Sequence, residues 1–129
     1  MSAPVGNTAL RIVLADDVPE IRSLLRRCFE LDPTVTVVGE AADGAYAVGV
    51  VCRTQADVIL LDLAMPGMGG LEALPLLLAV VPSARVVVLS SLEPAYLMEK
   101  AGGQGAAAFC TKIDAPDTLL GALGPPVAA

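Results

Sequence analysis

Five short apolar runs set the rhythm of the chain: Leu10–Ala15, Thr34–Gly39, Asp57–Leu61, Arg85–Leu89 and Ala106–Thr111. They are rich in Val, Ile and Leu and hardly alternate, the pattern of strands covered on both faces of a parallel sheet. The segments between them fit helices. Pro19–Leu31 sets Ile21, Leu24, Leu25, Cys28 and Phe29 on one face, with Arg22, Arg26 and Arg27 elsewhere. Residues 44–54, 70–81, 94–102 and 115–123 fill the other gaps. Strand starts recur at intervals of about 21 to 28 residues, the length of a strand, a helix and two short loops. The pattern predicts (βα)5. Right-handed crossovers then give an open, doubly wound sheet of α/β class. One domain is expected over residues 10–123, after a disordered lead-in at 1–9. The tail at 124–129, with Gly124-Pro125-Pro126, stops the last helix and is either a plain terminus or the start of a linker.

Composition narrows the function classes. A chain of 129 residues that is 55% hydrophobic and 17% charged buries a real core. With only two Phe, two Tyr and no Trp, that core is aliphatic. The net charge of -6 argues against nucleic-acid binding by this segment, because phosphate contacts need clustered Lys and Arg. The absence of histidine removes Ser-His-Asp, Cys-His and histidine–metal chemistry together. Cys28, Cys52 and Cys110 lack C-x-x-C spacing and read as reduced, buried thiols of a cytoplasmic protein. The longest apolar run, Ala73–Val81, is interrupted by Pro75 and is too short to cross a membrane. Residues 1–9 have neither the basic nor the apolar region of a signal peptide.

In a doubly wound sheet, sites form beyond the carboxyl ends of the strands. Strand 1 ends in Asp16-Asp17, strand 3 in Asp62, strand 4 in Ser90-Ser91 and strand 5 near Lys112, one of only two lysines. Polar residues gather at strand ends in any fold, and Asp17 could simply cap the helix that begins at Pro19. Four strands delivering acids, a hydroxyl and a lysine to one edge is a stronger pattern. Clustered carboxylates repel unless a cation intervenes, and Mg2+ is the hard divalent ion that takes carboxylates, water and phosphate oxygens together. Such a site can receive a phosphoryl group on a carboxylate, with metal and lysine spreading its charge.

Asp16-Asp17 after an apolar strand, Asp62 in D-x-x-M-P-x-M-x-G, Ser90 after VVVL and Lys112 after Phe109 together resemble the receiver domain of bacterial response regulators, over about residues 10 to 123. VVGEAADG at 37–44 and the Ile113-Asp114 that follows Lys112 are most similar to receivers of NarL/LuxR-type regulators. The resemblance implies a CheY-like, flavodoxin-like sheet of order 2-1-3-4-5 and a phosphorylation-dependent switch. Asp62 is then the phosphoacceptor. Asp17, Asp62 and the Ala64 backbone carbonyl bind Mg2+, with Asp16 acting largely through water. Lys112 pairs with Asp62 or the phosphoryl group, Ser90 bonds a phosphoryl oxygen, and Phe109 is the aromatic that turns inward to change the helix 4–strand 5–helix 5 surface. The implied partners are a sensor histidine kinase, a second copy in a phosphorylation-induced homodimer, and DNA only through an effector domain outside this chain.

The chain departs from the family pattern at several positions. Ile113 stands where many relatives have Pro, Gly69 where Asp or Asn is common, and Ala108 where Gly is frequent. Gly102 and Gly103 predict a short, frayed helix 4, because each Gly costs about 1 kcal/mol in a helix. Ala64 and Leu92, both apolar, flank the expected path of a hydrolytic water, which predicts a long-lived phosphoryl group. Three rival readings fit parts of the pattern. A haloacid-dehalogenase-type phosphatase needs a second acid at position 64, where this chain has Ala64. A nucleotide-binding reading of Gly103-Gln104-Gly105 fails because that stretch precedes a strand instead of following one. A degenerate receiver acting only as an interaction module is opposed by the complete set of chemical positions. No turnover of an external substrate is expected.

Overall fold

A computed structural model describes residues 9–90, 94–112 and 121–123. The described elements run β1 (Leu10–Ala15), α1 (Pro19–Glu30), β2 (Val35–Ala41), α2 (Gly44–Thr54), β3 (Val58–Asp62), α3 (Gly70–Val80), β4 (Arg85–Ser90), α4 (Ala95–Gly103) and β5 (Ala108–Thr111). The five strands form one parallel sheet in the order β2-β1-β3-β4-β5. The expected doubly wound α/β class and strand order are therefore present, with four helices among the described residues. Most of the predicted helix 115–123 lies outside the described residues, as do Ser91, Leu92, Ile113, the lead-in at 1–8 and the tail at 124–129.

The non-alternating strands have a direct packing consequence. In the central strand, Val58 and Leu60 join one apolar layer while Ile59 and Leu61 join the other. Its neighbours divide the same way, Ile12 and Leu14 against Val13 and Ala15 in β1, and Val87 and Leu89 against Val86 and Val88 in β4. Both faces of the central strands are thus buried, which is why Ile12–Ala15, Val58–Leu61 and Val86–Leu89 are apolar without a break. Phe29 of α1 fills the first layer; Leu74 and Leu77 of α3 fill the second.

Several local expectations are corrected. Leu24 was placed on the apolar face of α1, yet it is 55% exposed, and only Leu25 and Phe29 of that helix are fully buried. Of the three cysteines only Cys110 is buried, and Cys52 is exposed on α2. β2 runs on to Ala41, with a register irregularity opposite Ile12/Val13. α3 forms where the helix at 70–81 is expected and keeps Pro75 inside it, on the exposed face, where water can reach the carbonyl left without a donor. α4 is short, at nine residues, yet it takes in both Gly102 and Gly103. Its end is closed by a Schellman pair of hydrogen bonds: the Ala106 N–H donates to the Ala101 carbonyl (3.0 Å) and the Gly105 N–H to the Gly102 carbonyl (3.1 Å). Gly105 makes this closure possible with a φ of 111°, a conformation open to glycine and strained for other residues.

Candidate functional site

The site is assembled where three adjacent strands, β1, β3 and β4, and the end of β5 reach the same edge. β1 leads straight into Asp16, whose N–H is held by the Ala41 carbonyl of β2 (3.0 Å). The Asp16 side chain is fully buried, and its Oδ1 accepts the Val18 N–H at 2.8 Å. Asp62 is the last residue of β3, not the first beyond it, and is 1% exposed. Its Oδ1 accepts the N–H of Ala64 at 3.0 Å. Lys112 follows β5, and its backbone N–H donates to the Ser90 carbonyl at 2.9 Å. That bond carries the lysine side chain back over the sheet. Its Nζ lies 3.0 Å from Asp62 Oδ2 and 2.8 Å from Asp16 Oδ2. The contact with Asp62 is a hydrogen bond. The contact with Asp16 is the shorter ion pair of the two.

Asp17 is half-buried, and one oxygen from each of Asp16, Asp17 and Asp62 lies within 4.8 Å of the others. Asp17 does not cap α1, because the cap position is Val18 and no side-chain cap is made there. Three carboxylates against one ammonium leave two negative charges in a nearly buried space. At such separations, with an effective dielectric of about 20, each like-charge pair repels by roughly 3–4 kcal/mol. Lys112 pairs with both Asp16 and Asp62, but it brings one positive charge to three carboxylates, so the edge stays net negative. The titration behaviour agrees. Burial, and then the neighbouring Asp16 charge, push Asp62 above its ordinary value against the opposing pull of the Ala64 N–H and Lys112. Burial draws Lys112 down, but Asp16 and Asp62 together outweigh it and hold the ammonium above its ordinary value. Three clustered carboxylate oxygens with a net charge that one lysine does not cancel fit a divalent cation with oxygen ligands.

The loop from 63 to 69 is stiffened by its own anchors. Leu63 and Met65 are buried in the core layer shared by α2 and α3. The Met68 carbonyl accepts the Gly44 N–H at 2.8 Å, and the Leu63 carbonyl accepts the Gly70 N–H at 3.1 Å. A Cβ on Gly70 would stand 2.4 Å from the Asp62 carbonyl oxygen, so glycine is required where α3 starts against the site strand. Ala64 is exposed at the mouth. Ser90 is buried at the end of β4, paired in register with Thr111. Phe109 is 41% exposed, with its ring edge 3.6 Å from where a Cβ on Gly102 of α4 would be, an ordinary contact distance.

All the predicted side chains except Phe109 gather at this edge; Phe109 lies away from it, against α4. Two residues were not assigned to the site from sequence. Arg22 and Arg26, off the apolar face of α1, both turn to Glu40 near the end of β2. Arg22 Nη1 also donates to the Asp16 carbonyl. Only Arg27 of that group is exposed. The signal was present as two arginines four residues apart and a lone acid in VVGEA, but nothing in a linear pattern pairs them.

The family model for the response regulator receiver domain matches residues 12–124. The chain is 38% identical over 112 residues to the nitrate/nitrite response regulator protein NarL of Escherichia coli (strain K12), covering 87% of this chain and 52% of that protein. It is 37% identical over 119 residues to a protein-glutamate methylesterase/protein-glutamine glutaminase of Rhodospirillum centenum, covering 91% of this chain and 30% of that protein. The chain thus spans between 30% and 52% of the length of these curated relatives. Among solved structures, the signal receiver domain of a NarL response regulator from Mycobacterium tuberculosis superposes with a TM-score of 0.81 at 34% identity, covering 91% of this chain and 98% of that one. The response regulator domain of Thermotoga maritima CheB superposes with a TM-score of 0.82 at 31% identity, covering 89% and 93%. The expected likeness to NarL/LuxR-type receivers is present, beside one of comparable extent to methylesterase receivers. With this fold, this acidic edge and a family match over nearly the whole chain, the protein belongs to the response regulator receiver domain family.

Proposed function

We propose that this domain is a phosphorylation-dependent switch of a two-component system, with Asp62 as the acceptor of a phosphoryl group from the phosphohistidine of a sensor kinase. The observation that carries the reading is the placement of Lys112 Nζ within 3.0 Å of both buried carboxylates, with Asp17 beside them. Asp16, Asp17, Asp62 and the Ala64 carbonyl are the groups that would hold Mg2+. Bound there, the ion would supply positive charge to offset that of the transferred phosphoryl group.

The chain's own residues do the rest. An Asp62 oxygen forms the new P–O bond as the P–N bond to the donor imidazole breaks. Lys112, kept charged by two carboxylates, meets the added negative charge. The Ala64 N–H holds the second Asp62 oxygen and fixes the carboxylate plane. Ser90 supplies a hydroxyl at the neighbouring strand end and draws toward the phosphoryl group. Its movement frees space for Phe109, now half-exposed against α4, to turn inward and remodel the α4–β5 surface. Ala64 brings no acid that could protonate a leaving group, so turnover of an external phosphomonoester is not expected. A DNA-binding output, by analogy with the NarL-type relatives, and homodimerisation on phosphorylation belong to this reading; methylesterase relatives make a different effector equally compatible.

Incubation with phosphoramidate and Mg2+ followed by intact-mass measurement tests the proposal. Wild type should gain one phosphoryl group and Asp62→Asn none. A wild type that binds Mg2+ but never gains mass would favour the degenerate-receiver alternative.

A further inference from the structure

We propose that Arg22 is a positioning residue for the metal-binding acids, acting through the backbone of Asp16; this rests on the Mg2+ reading above. Asp16 is the most tightly held residue of the site. Its N–H is bound by Ala41 at the end of β2, its Oδ1 by the Val18 N–H, and its carbonyl by Arg22 Nη1. Arg22 is not free to drift, because its Nε donates to Glu40 Oε1 at 3.0 Å. Glu40 is fixed in turn by Arg26, whose Nε donates to Oε2 at 2.6 Å. Glu40 and Ala41 are consecutive, so a closed ring runs from Asp16 through Arg22 and Glu40 to Ala41 and back to Asp16.

The ring explains a local problem. Asp16 and Asp17 sit in the three-residue link between β1 and Pro19, where α1 begins with no side-chain cap at Val18. Repulsion between the carboxylates pushes this link outward, and one side-chain-to-backbone bond at Val18 is a weak restraint. Arg22 ties the link to both α1 and β2. The guanidinium suits the task because Nε and Nη1 lie in one rigid plane and reach the carboxylate and the carbonyl together, which the single ammonium of lysine does not reproduce. Arg26 shares Glu40 but makes no contact with Asp16, so it provides an internal control. The arrangement is an outer-shell support of the kind whose loss costs metal affinity without removing a ligand.

Calorimetric titration of MgCl2 into metal-free protein tests this, using wild type, Asp17→Asn, Arg22→Ala, Arg22→Lys and Arg26→Ala, each with a thermal melt. Wild type should titrate and Asp17→Asn should not. Arg22→Ala and Arg22→Lys should bind Mg2+ roughly tenfold more weakly, while Arg26→Ala stays within about twofold of wild type although its melt falls as far as that of Arg22→Ala. If Arg22→Ala does not fold, Arg22→Lys carries the same comparison. A wild type that does not titrate overturns the metal reading and the proposal with it. Wild-type binding that Asp17→Asn abolishes but both Arg22 variants leave within about twofold overturns the positioning role alone, as does an equal loss in Arg26→Ala.

Discussion

Asp62 holds its charge at a cost to the fold. A buried carboxylate whose affinity for a proton is raised makes the folded state less stable once pH exceeds the ordinary value of 3.8 and the group must ionise. Asp62→Asn keeps the shape and removes the charge. In the absence of Mg2+ it should stabilise the protein by on the order of 1 kcal/mol in urea melts, although it also deletes the bond to Lys112. A destabilised Asp62→Asn would mean that the Lys112 pair outweighs the repulsion. Glu40 has the opposite sign. Burial raises it, but Arg26 and Arg22 outweigh that and hold it below its ordinary 4.5. Its contribution is therefore complete above 4.5 and is lost as pH falls through the depressed value. With about a third of the side chain exposed, the pair is worth about 1 kcal/mol or less. Wild type should exceed Glu40→Gln in stability at neutral pH, and the gap should close below pH 4.5.

α4 shows how one stretch can read as weak and still be well ended. Gly102 and Gly103 lower helix propensity, which is what a count along the chain detects. The Schellman closure through Gly105 satisfies two of the last carbonyls, and it depends on a φ that no residue-by-residue propensity reports. The two glycines should then respond oppositely to the same change. Gly103→Ala meets nothing within 4 Å and should raise stability by some tenths to about 1 kcal/mol. Gly105→Ala must hold a φ of 111° with its Cβ 2.7 Å from Leu78, and should lose about 1–2 kcal/mol or more. At the start of α3, Gly70→Ala should be worse than either, because its Cβ would meet the backbone of Asp62 and Leu63, which cannot swing away as a side chain can. Denaturant melts of the three variants give the ranking directly.

The sheet and the acidic edge behave as one thermodynamic unit, since the strands that carry the acids are also the centre of both apolar layers. Mg2+ that binds only the folded edge must raise the unfolding temperature, by RT ln(1 + [Mg2+]/Kd) in free energy, or about 2.7 kcal/mol at a hundredfold excess over Kd. The increase should be lost in Asp17→Asn, and thermal melts across a Mg2+ series check it. A similar core test is Leu60→Ala, fully buried in the central strand, which should cost about 2–5 kcal/mol with or without Mg2+.

Class and the strand-end acids are legible along the chain for a simple reason, whereas the strand order enters only through the resemblance to receiver domains. A strand buried on both faces must be apolar throughout, and the acid that ends it marks the edge without any knowledge of neighbours. The apolar run Leu10–Ala15 coincides with β1, and Asp16, Asp17, Asp62 and Lys112 stand at strand ends in the sequence itself. Pairings that depend on how α1 lies over β2 were not legible. The turning of Arg22 and Arg26 to Glu40, the exposure of Leu24 and Cys52, and the closed end of α4 all follow from crossing angles and backbone dihedrals. Hydrophobic periodicity reports which positions leave water, and only packing in three dimensions decides which polar groups then find each other.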